Sequence, residues 1–531
     1  MITFDRFSGM APSIDPYKLG NSIAQVAKNC HFDDGTLSPI PAPRVLSGHT
    51  VPTSNTRSLY PYAADFVYSE VDTKYLESPV SNDVWDRLYF IGADGPRYYA
   101  NGSTVTSYAL GLPRPEVLSF GAISTGDSSD YLAKHLRSYV VALVDDYGHV
   151  GPTSLPAVRS EDFYEDASVV LNMPAVPTGN YAITGNAKWR VYRSNFSSTG
   201  IGVYQFLGDV PVGNGTFTDT LNSSDLQEAA VSELWVAPPS GLKGFLALSG
   251  GFFAGFEGNT VYLSEPYLPH AWPTQRSYTE TIVGLAETSV GLLVLTTSKP
   301  YLLVGTSPAN MIRVEIESDQ ACVSADSIVD MGDYVLYASP DGICIASGNT
   351  INLATQDLIN KEDWNYLYTP TALKAFSHEG RYVTNKFIFD PRGGLNALVE
   401  SELNFFGFYR DEEKDEVYFL DGSGDLLEYA PVGGTTYMGG GYEYLTRVEE
   451  YLAPVNMGAI RITMAAGTVG CEFVVYADEA EVARGTVTEA GSFKLPAGYK
   501  ARHWQMEFKG DAPLRAVMLN TSFNKRFKKT E

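Results

Sequence analysis

Few residues in this sequence are spaced for chemistry, and most of those read more simply as turn formers. Asp145, Asp146 and His149 follow the apolar run Leu136–Val144 and can be drawn as a carboxylate–imidazole acid–base pair. A hairpin turn asks for Asp and Gly at the same place, which is the preferred reading. Cys30 and His31 are neighbours, and on an extended segment they point to opposite faces, which argues against a shared metal. Asp421-Gly-Ser-Gly-Asp425 alternates oxygen ligands as a calcium loop does. It lacks the downstream bidentate Glu of an EF-hand and falls between two strands, so a hairpin turn is expected. The carboxylate pairs Asp33/Asp34 and Glu412/Glu413 would serve glycoside hydrolysis only if the fold set them ~5–9 Å apart across a sugar cleft. No phosphate-binding G-x-x-x-x-G-K-[ST], dinucleotide fingerprint, H-E-x-x-H or G-x-S-x-G occurs. The four cysteines, Cys30, Cys322, Cys344 and Cys471, are far apart with no C-x-x-C, so neither a disulfide framework nor a zinc site is expected. Each sits in or beside an apolar run and reads as a small core residue. The expectation is a protein with no catalytic residue, cofactor or metal, hence not an enzyme.

The elements that must position these residues are strands. The chain is organised around Leu242–Gly348, where apolar runs of four to seven residues alternate with Gly, Pro and Asp-Gly turns, the signal of antiparallel hairpins. The unit "apolar run, Asp-Gly, apolar run, Gly" occurs at Arg87–Gly102, Tyr334–Gly348 and Val417–Tyr429. Such repetition predicts an all-β chain whose framework is a β-propeller. Residues 1–112 are expected to form an N-terminal arm and the first blade or blades. Within them, Ser22–Asn29 suits one or two helical turns, and the prolines of Leu37–Pro43 suit an extended arm or sheet edge. Residues 113–236 change rhythm: Leu136–Val144, Ala167–Leu171, Lys188–Arg193, Gly202–Leu207 and Gly215–Asp219 follow at sandwich spacing. They predict an inserted fibronectin-III-like β-sandwich, closed by a capping box at Ser224–Gln227. Residues 237–450 carry the remaining blades, with a short helix over Thr355–Tyr366 capped by Thr355 and a Gly-rich loop at Gly433–Gly441. Residues 451–531 predict a C-terminal β domain ending in a basic tail with Lys525, Arg526, Lys528 and Lys529, a stretch most simply read as solvated.

At 531 residues, the chain is long enough for several domains. Thirty-eight Lys and Arg against 62 Asp and Glu leave a net charge of −24. That balance excludes a groove that grips nucleic acid, since phosphate binding needs cations, but allows a smooth acidic wall past which a polyanion slides. Met1–Met10 has no basic region followed by an apolar run, and no stretch approaches the ~20 apolar residues of a membrane span. The sequons at Asn101, Asn195, Asn214, Asn222 and Asn520 therefore carry little meaning.

Several phrases resemble a known family. Pro238–Gly244, Phe252–Phe256, Ser264-Glu265-Pro266, Pro269-His270-Ala271-Trp272-Pro273, Lys299–Leu302, Gln320-Ala-Cys322-Val-Ser324 and Tyr337–Asp341-Gly342 look like the tail nozzle proteins (tail tubular protein B) of short-tailed, podovirus-type bacteriophages. Gln25–Cys30 through Gly35–Pro39 resembles the family's opening. The similarity covers roughly residues 10–430 and is strongest from 236 to 348. It implies a structural virion protein in the phage tail: a homo-oligomeric ring, usually six copies, below the portal adaptor ring. Tail fibres or spikes and a tail plug or needle would be its neighbours. The ring would hold the double-stranded genome and conduct it during ejection without reading its sequence. Loops constrict such a channel, and Asp411–Asp415 and Gly433–Gly441 are candidates by composition. The alternative is a β-propeller that binds or hydrolyses host glycans; a third is a sheath or adaptor of another injection device. Pro269–Pro273 also has a plainer reading, a packed blade corner around Trp272.

Overall fold

The computed structural model describes residues 1–49, 51, 56–63, 65–127, 134–196, 202–392, 398–465 and 470–522. The basic tail lies outside them. The chain divides into two compact units, Met1–Leu59 with Val283–Leu303 and Arg313–Glu531, and Tyr60–Ile282 with Val304–Ile312. It is an all-β chain whose framework is of β-propeller type: a succession of four-stranded antiparallel sheets, each running through neighbouring hairpins.

In the Tyr60–Ile282 unit the first such blade orders Leu76–Glu77, Leu88–Gly92, Gly95–Tyr99 and Tyr108–Ala109. Its central hairpin turns through Ala93-Asp94, with Gly92 opposite Gly95. Gly95 has φ +107, and a Cβ there would meet the Ser240 carbonyl at 2.9 Å, so only glycine fits. The second blade orders Lys243–Leu248, Phe252–Glu257, Thr260–Leu263 and Thr274–Ser277. Tyr89 and Tyr98 of the first share a core with Phe245, Phe253 and Trp272 of the second.

Between these blades in sequence, two antiparallel sheets sandwich another core. One holds Ser119–Ser124, Ser168–Asn172 and Thr216–Asp219; the other is centred on His135–Val144, Lys188–Phe196 and Gly202–Pro211. Alternation along His135–Val144 sends Tyr139, Val141 and Leu143 into the shared core beside Trp189. Val140 and Ala142 point to the other face, against Tyr192 and Phe206. The expected capping box at Ser224–Gln227 is instead a single 3-10 turn, Ser223–Asp225, with no side-chain cap.

In the other unit, a blade of Val329–Asp330, Val335–Ala338, Ile343–Ser347 and Thr350–Leu353 is followed by one of Ala375–His378, Arg381–Thr384, Phe387–Phe389 and Leu398–Glu400. Phe408–Asp411, Glu416–Leu420 and Leu426–Glu428 then form a sheet whose fourth strand, Arg44–Val45, comes from the start of the chain. The sheet ending at Leu398–Glu400 does not stop there. Val26–Lys28 pairs parallel to it and antiparallel to Tyr442–Leu445, leading into Ala501–Gly510, Cys471–Ala477 and Ala480–Val487. A facing sheet joins Ile2–Phe4, Leu514–Asn520, Ala459–Met464 and Gly491–Lys494.

Of three local expectations, two give way to these pairings. Val26–Lys28, within the segment read as helical turns, is a strand with hydrogen-bonded neighbours on both sides, because sheet pairing outweighs a weak helix propensity. The proline-rich Leu37–Pro43 is extended at a sheet edge, as expected: Ser38–Pro39 pairs with Cys30–His31, and Leu37 and Ile40 are buried. The helix runs Lys361–Tyr368 with Asn360 as its cap, the Asn360 Oδ1 accepting from the Asp363 amide at 2.9 Å. Thr355 is buried instead, its Oγ1 accepting from the Ile343 amide.

Candidate functional site

Asp145 and His149 do come together, in a buried polar relay within the Tyr60–Ile282 unit. Asp145 ends the long central strand of the sandwich and His149 lies across its turn. The turn is fixed by that carboxylate, whose Oδ1 accepts the amides of Tyr147 at 3.0 Å and His149 at 2.8 Å. Its Oδ2 accepts the Tyr98 hydroxyl at 2.8 Å and meets His149 Nδ1 at 2.9 Å. On the other side of the ring, His149 Nε2 lies 2.7 Å from Arg87 Nη1. A guanidinium has only donors, so Nε2 accepts and Nδ1 carries the proton given to Asp145. Arg87 is itself held in a fork by Asp83, at 2.6 Å and 3.0 Å. Burial works against ionisation of Asp83, but the Arg87 guanidinium and the Trp85 amide outweigh it and hold the carboxyl below its usual range.

His270, from the second blade's Pro269–Pro273 corner, completes the cluster. Its ring lies 4.6 Å from that of His149 and edge-on to Trp235 at 5.7 Å. Neither ring nitrogen has a hydrogen-bond partner of ordinary geometry. Burial, then the neighbouring His149 and Arg87, hold its pKa well below the ordinary value. Asp145, His149 and His270 are 4%, 2% and 6% exposed, so no face of the relay is open to a substrate. The arrangement fastens the first blade, the sandwich turn and the second blade together. Sequence reading paired Asp145 with His149 but missed Arg87 and Tyr98, whose only local trace is the i,i+4 spacing of Asp83 and Arg87.

A second buried charge cluster lies in the sandwich. Asp219 Oδ2 accepts from Tyr139 at 2.7 Å and Arg193 at 2.8 Å, with Arg137 at 3.6 Å. Arg193 also donates to the Leu221 carbonyl.

The remaining residues singled out from sequence serve turns and cores. Ser264 Oγ accepts the Phe253 amide at 2.8 Å. Glu265 and Leu268 form a bridge around Pro266, and Trp272 Nε1 donates to the Pro269 carbonyl at 2.6 Å, a packed corner. Asp341 accepts from Lys361 at 2.8 Å and Gln320 at 3.0 Å, and those contacts, Lys361 first, lower its pKa. At Gly342 a Cβ would fall 2.2 Å from Thr355 Oγ1. Cys30 and Cys322 are buried, which pushes both thiols up, Cys322 to about 12. His31 turns away from Cys30 to pair with Asp33. Asp421 Oδ1 accepts the amides of Ser423 and Asp425 and so closes a hairpin turn. Asp411 does the same for Glu413 and Lys414, while Met438 anchors the Gly-rich loop by donating to the Ile40 carbonyl.

Among the described residues, no group of three or more His, Cys, Asp or Glu is placed to hold a metal, and no helix is long and apolar enough to cross a membrane. Two open recesses in the other unit measure about 230 Å³, lined by Tyr17, Gln25, His503 and Gln505, and about 420 Å³, lined by Met10, Ile14, Leu19 and Tyr368.

No family model and no curated protein matches the chain. Among solved structures, BamB from Moraxella catarrhalis is 12% identical with a TM-score of 0.25, covering 60% of this chain and 98% of its own. Sqt1 from Saccharomyces cerevisiae is 9% identical with a TM-score of 0.27, covering 76% and 99%. The WD40 domain of Neurospora crassa Pan2 is 7% identical with a TM-score of 0.25, covering 50% and 84%. The fold assignment therefore rests on the sheets of this chain itself.

Proposed function

We propose that this chain is a structural ring subunit of a phage tail, a nozzle whose copies, six by the family resemblance, surround a channel for double-stranded DNA. The observation that carries the reading is the set of phrases from Pro238 to Gly342, whose polar members hold turns and blade corners: Ser264 on the Phe253 amide, Trp272 on the Pro269 carbonyl, Asp341 on Lys361. Residues spent on packing suit a part that works by shape. The net charge of −24 per chain supports the same job, because an anionic wall repels phosphates and lets a polyanion pass without adhering. In this reading the portal adaptor ring lies above, with fibres or spikes and a plug or needle as neighbours.

Electron microscopy tests the proposal directly. Purified chain is expected to form rings, antibody to it is expected to label the tail tip of virions, and duplex DNA is expected not to be retained by the rings at physiological salt. Monomers in solution and virion, label on fibres, or release of reducing sugar from host envelope would each replace it with another reading.

A further inference from the structure

We infer that the relay of Arg87, His149, Asp145 and Tyr98, with His270 stacked on it, is a proton-sensitive fastener that lets go of the first and second blades and the sandwich turn in mild acid. The inference does not depend on the nozzle reading. It stands on geometry. Arg87 Nη1 at 2.7 Å requires His149 Nε2 to be an acceptor, so a proton added there would face a guanidinium donor. His270, 4.6 Å away, makes no hydrogen bond of ordinary geometry, has only the Val150 backbone to favour an added proton, and is buried beside the Arg87 guanidinium, which opposes the charge. Arg87, with Asp83 behind it, Tyr89 and Tyr98 come from the first blade; Asp145 and Tyr147 come from the turn, with the Val150 backbone beside them. The carboxyl group that faces His149, Asp145, is already filled by Tyr98, His149 and two amides.

The sign follows from linkage. Folding holds the His270 pKa well below 6.5, so the opened state binds the proton more readily than the closed one. The fastener is fully closed above the ordinary histidine range and loses stability as pH falls from about 6.5 toward the depressed folded value. Protonation of one histidine multiplies the opening constant by at most about 10-fold at pH 5.5 and at most about 100-fold at pH 4.5, the full factor holding while the pH stays above the folded pKa. Asp83, held below its ordinary range, acts only in stronger acid, so the window between belongs to His270.

Amide hydrogen exchange on the full chain from pH 7.5 to 4.5, corrected for intrinsic rates, reads this in peptides covering 83–90, 145–150 and 268–273. The expected result is an acid acceleration, at most about 100-fold at pH 4.5, that His270→Leu largely removes. An equal acid step in His270→Leu, or no step in the native chain, overturns the inference. Should the variant not fold, histidine-ring NMR of the native chain decides: a His270 ring that stays neutral to pH 5 supports the fastener, and one that titrates near 6.5 in the folded state overturns it.

Discussion

Replacing Asp145 with Asn tests the relay without changing its shape. The carboxylate accepts four donors: the amides of Tyr147 and His149 on Oδ1, the Tyr98 hydroxyl and His149 Nδ1 on Oδ2. Asn keeps one oxygen for the two amides but presents an NH2 to the other pair. The Tyr98 hydroxyl can rotate to accept, whereas His149 must move its proton to Nε2, where it meets Arg87 Nη1 at 2.7 Å. Either tautomer leaves two buried donors opposed. A buried unsatisfied donor costs about 1–3 kcal/mol, and breaking a buried charged pair costs about 3–5 kcal/mol. The expected loss is therefore about 3–5 kcal/mol, a fifth or more of a typical domain's stability of about 5–15 kcal/mol. Asp146→Asn is the control, since that carboxylate also accepts several amides, of Thr184, Gly185 and Asn186, but on the exposed side of the turn. Water replaces what is lost there, and about 1 kcal/mol is expected. Guanidinium unfolding followed by tryptophan fluorescence measures both, because Trp235 lies against His270 and Trp85 against Tyr147. A loss below about 1 kcal/mol for Asp145→Asn, or no difference from Asp146→Asn, would show that the relay is a bystander.

Two further outcomes follow from the same accounting. Asp219→Ala strands Arg193 and Arg137 in the sandwich and is expected to cost about 3–5 kcal/mol by the same assay. Arg190→Ala breaks a pair whose side chains are about a quarter exposed and is expected to cost less than about 1 kcal/mol. Cys322, Cys344 and Cys471 are buried, with thiols pushed to about 12, 11 and 11, and Cys30 lies higher still. A thiol reagent at pH 8 is expected to label none of the four in the native chain and all of them in guanidinium; rapid native labelling of any one contradicts its burial.

The features legible in the sequence are local. The hairpin Leu88–Gly92 to Gly95–Tyr99 and its counterpart Val335–Ala338 to Ile343–Ser347 are legible because strand, turn and returning strand lie within a dozen or so residues. An Asp-Gly turn carries its own φ/ψ requirement wherever it occurs. Buried cysteines and the turns at Asp145 and Asp421 are legible for the same reason. The remaining pairings arise from long-range contacts. Arg44 reaches Glu428 across 384 residues to complete a sheet, and Val26–Lys28 became a strand because both its backbone edges found partners. Arg87, Tyr98 and His270 joined Asp145 and His149 from separate elements, a meeting no local spacing encodes. Turn chemistry is a property of a few adjacent residues. Sheet partners and buried polar contacts are chosen by which surfaces exclude water together, and that choice exists only once the chain has closed on itself.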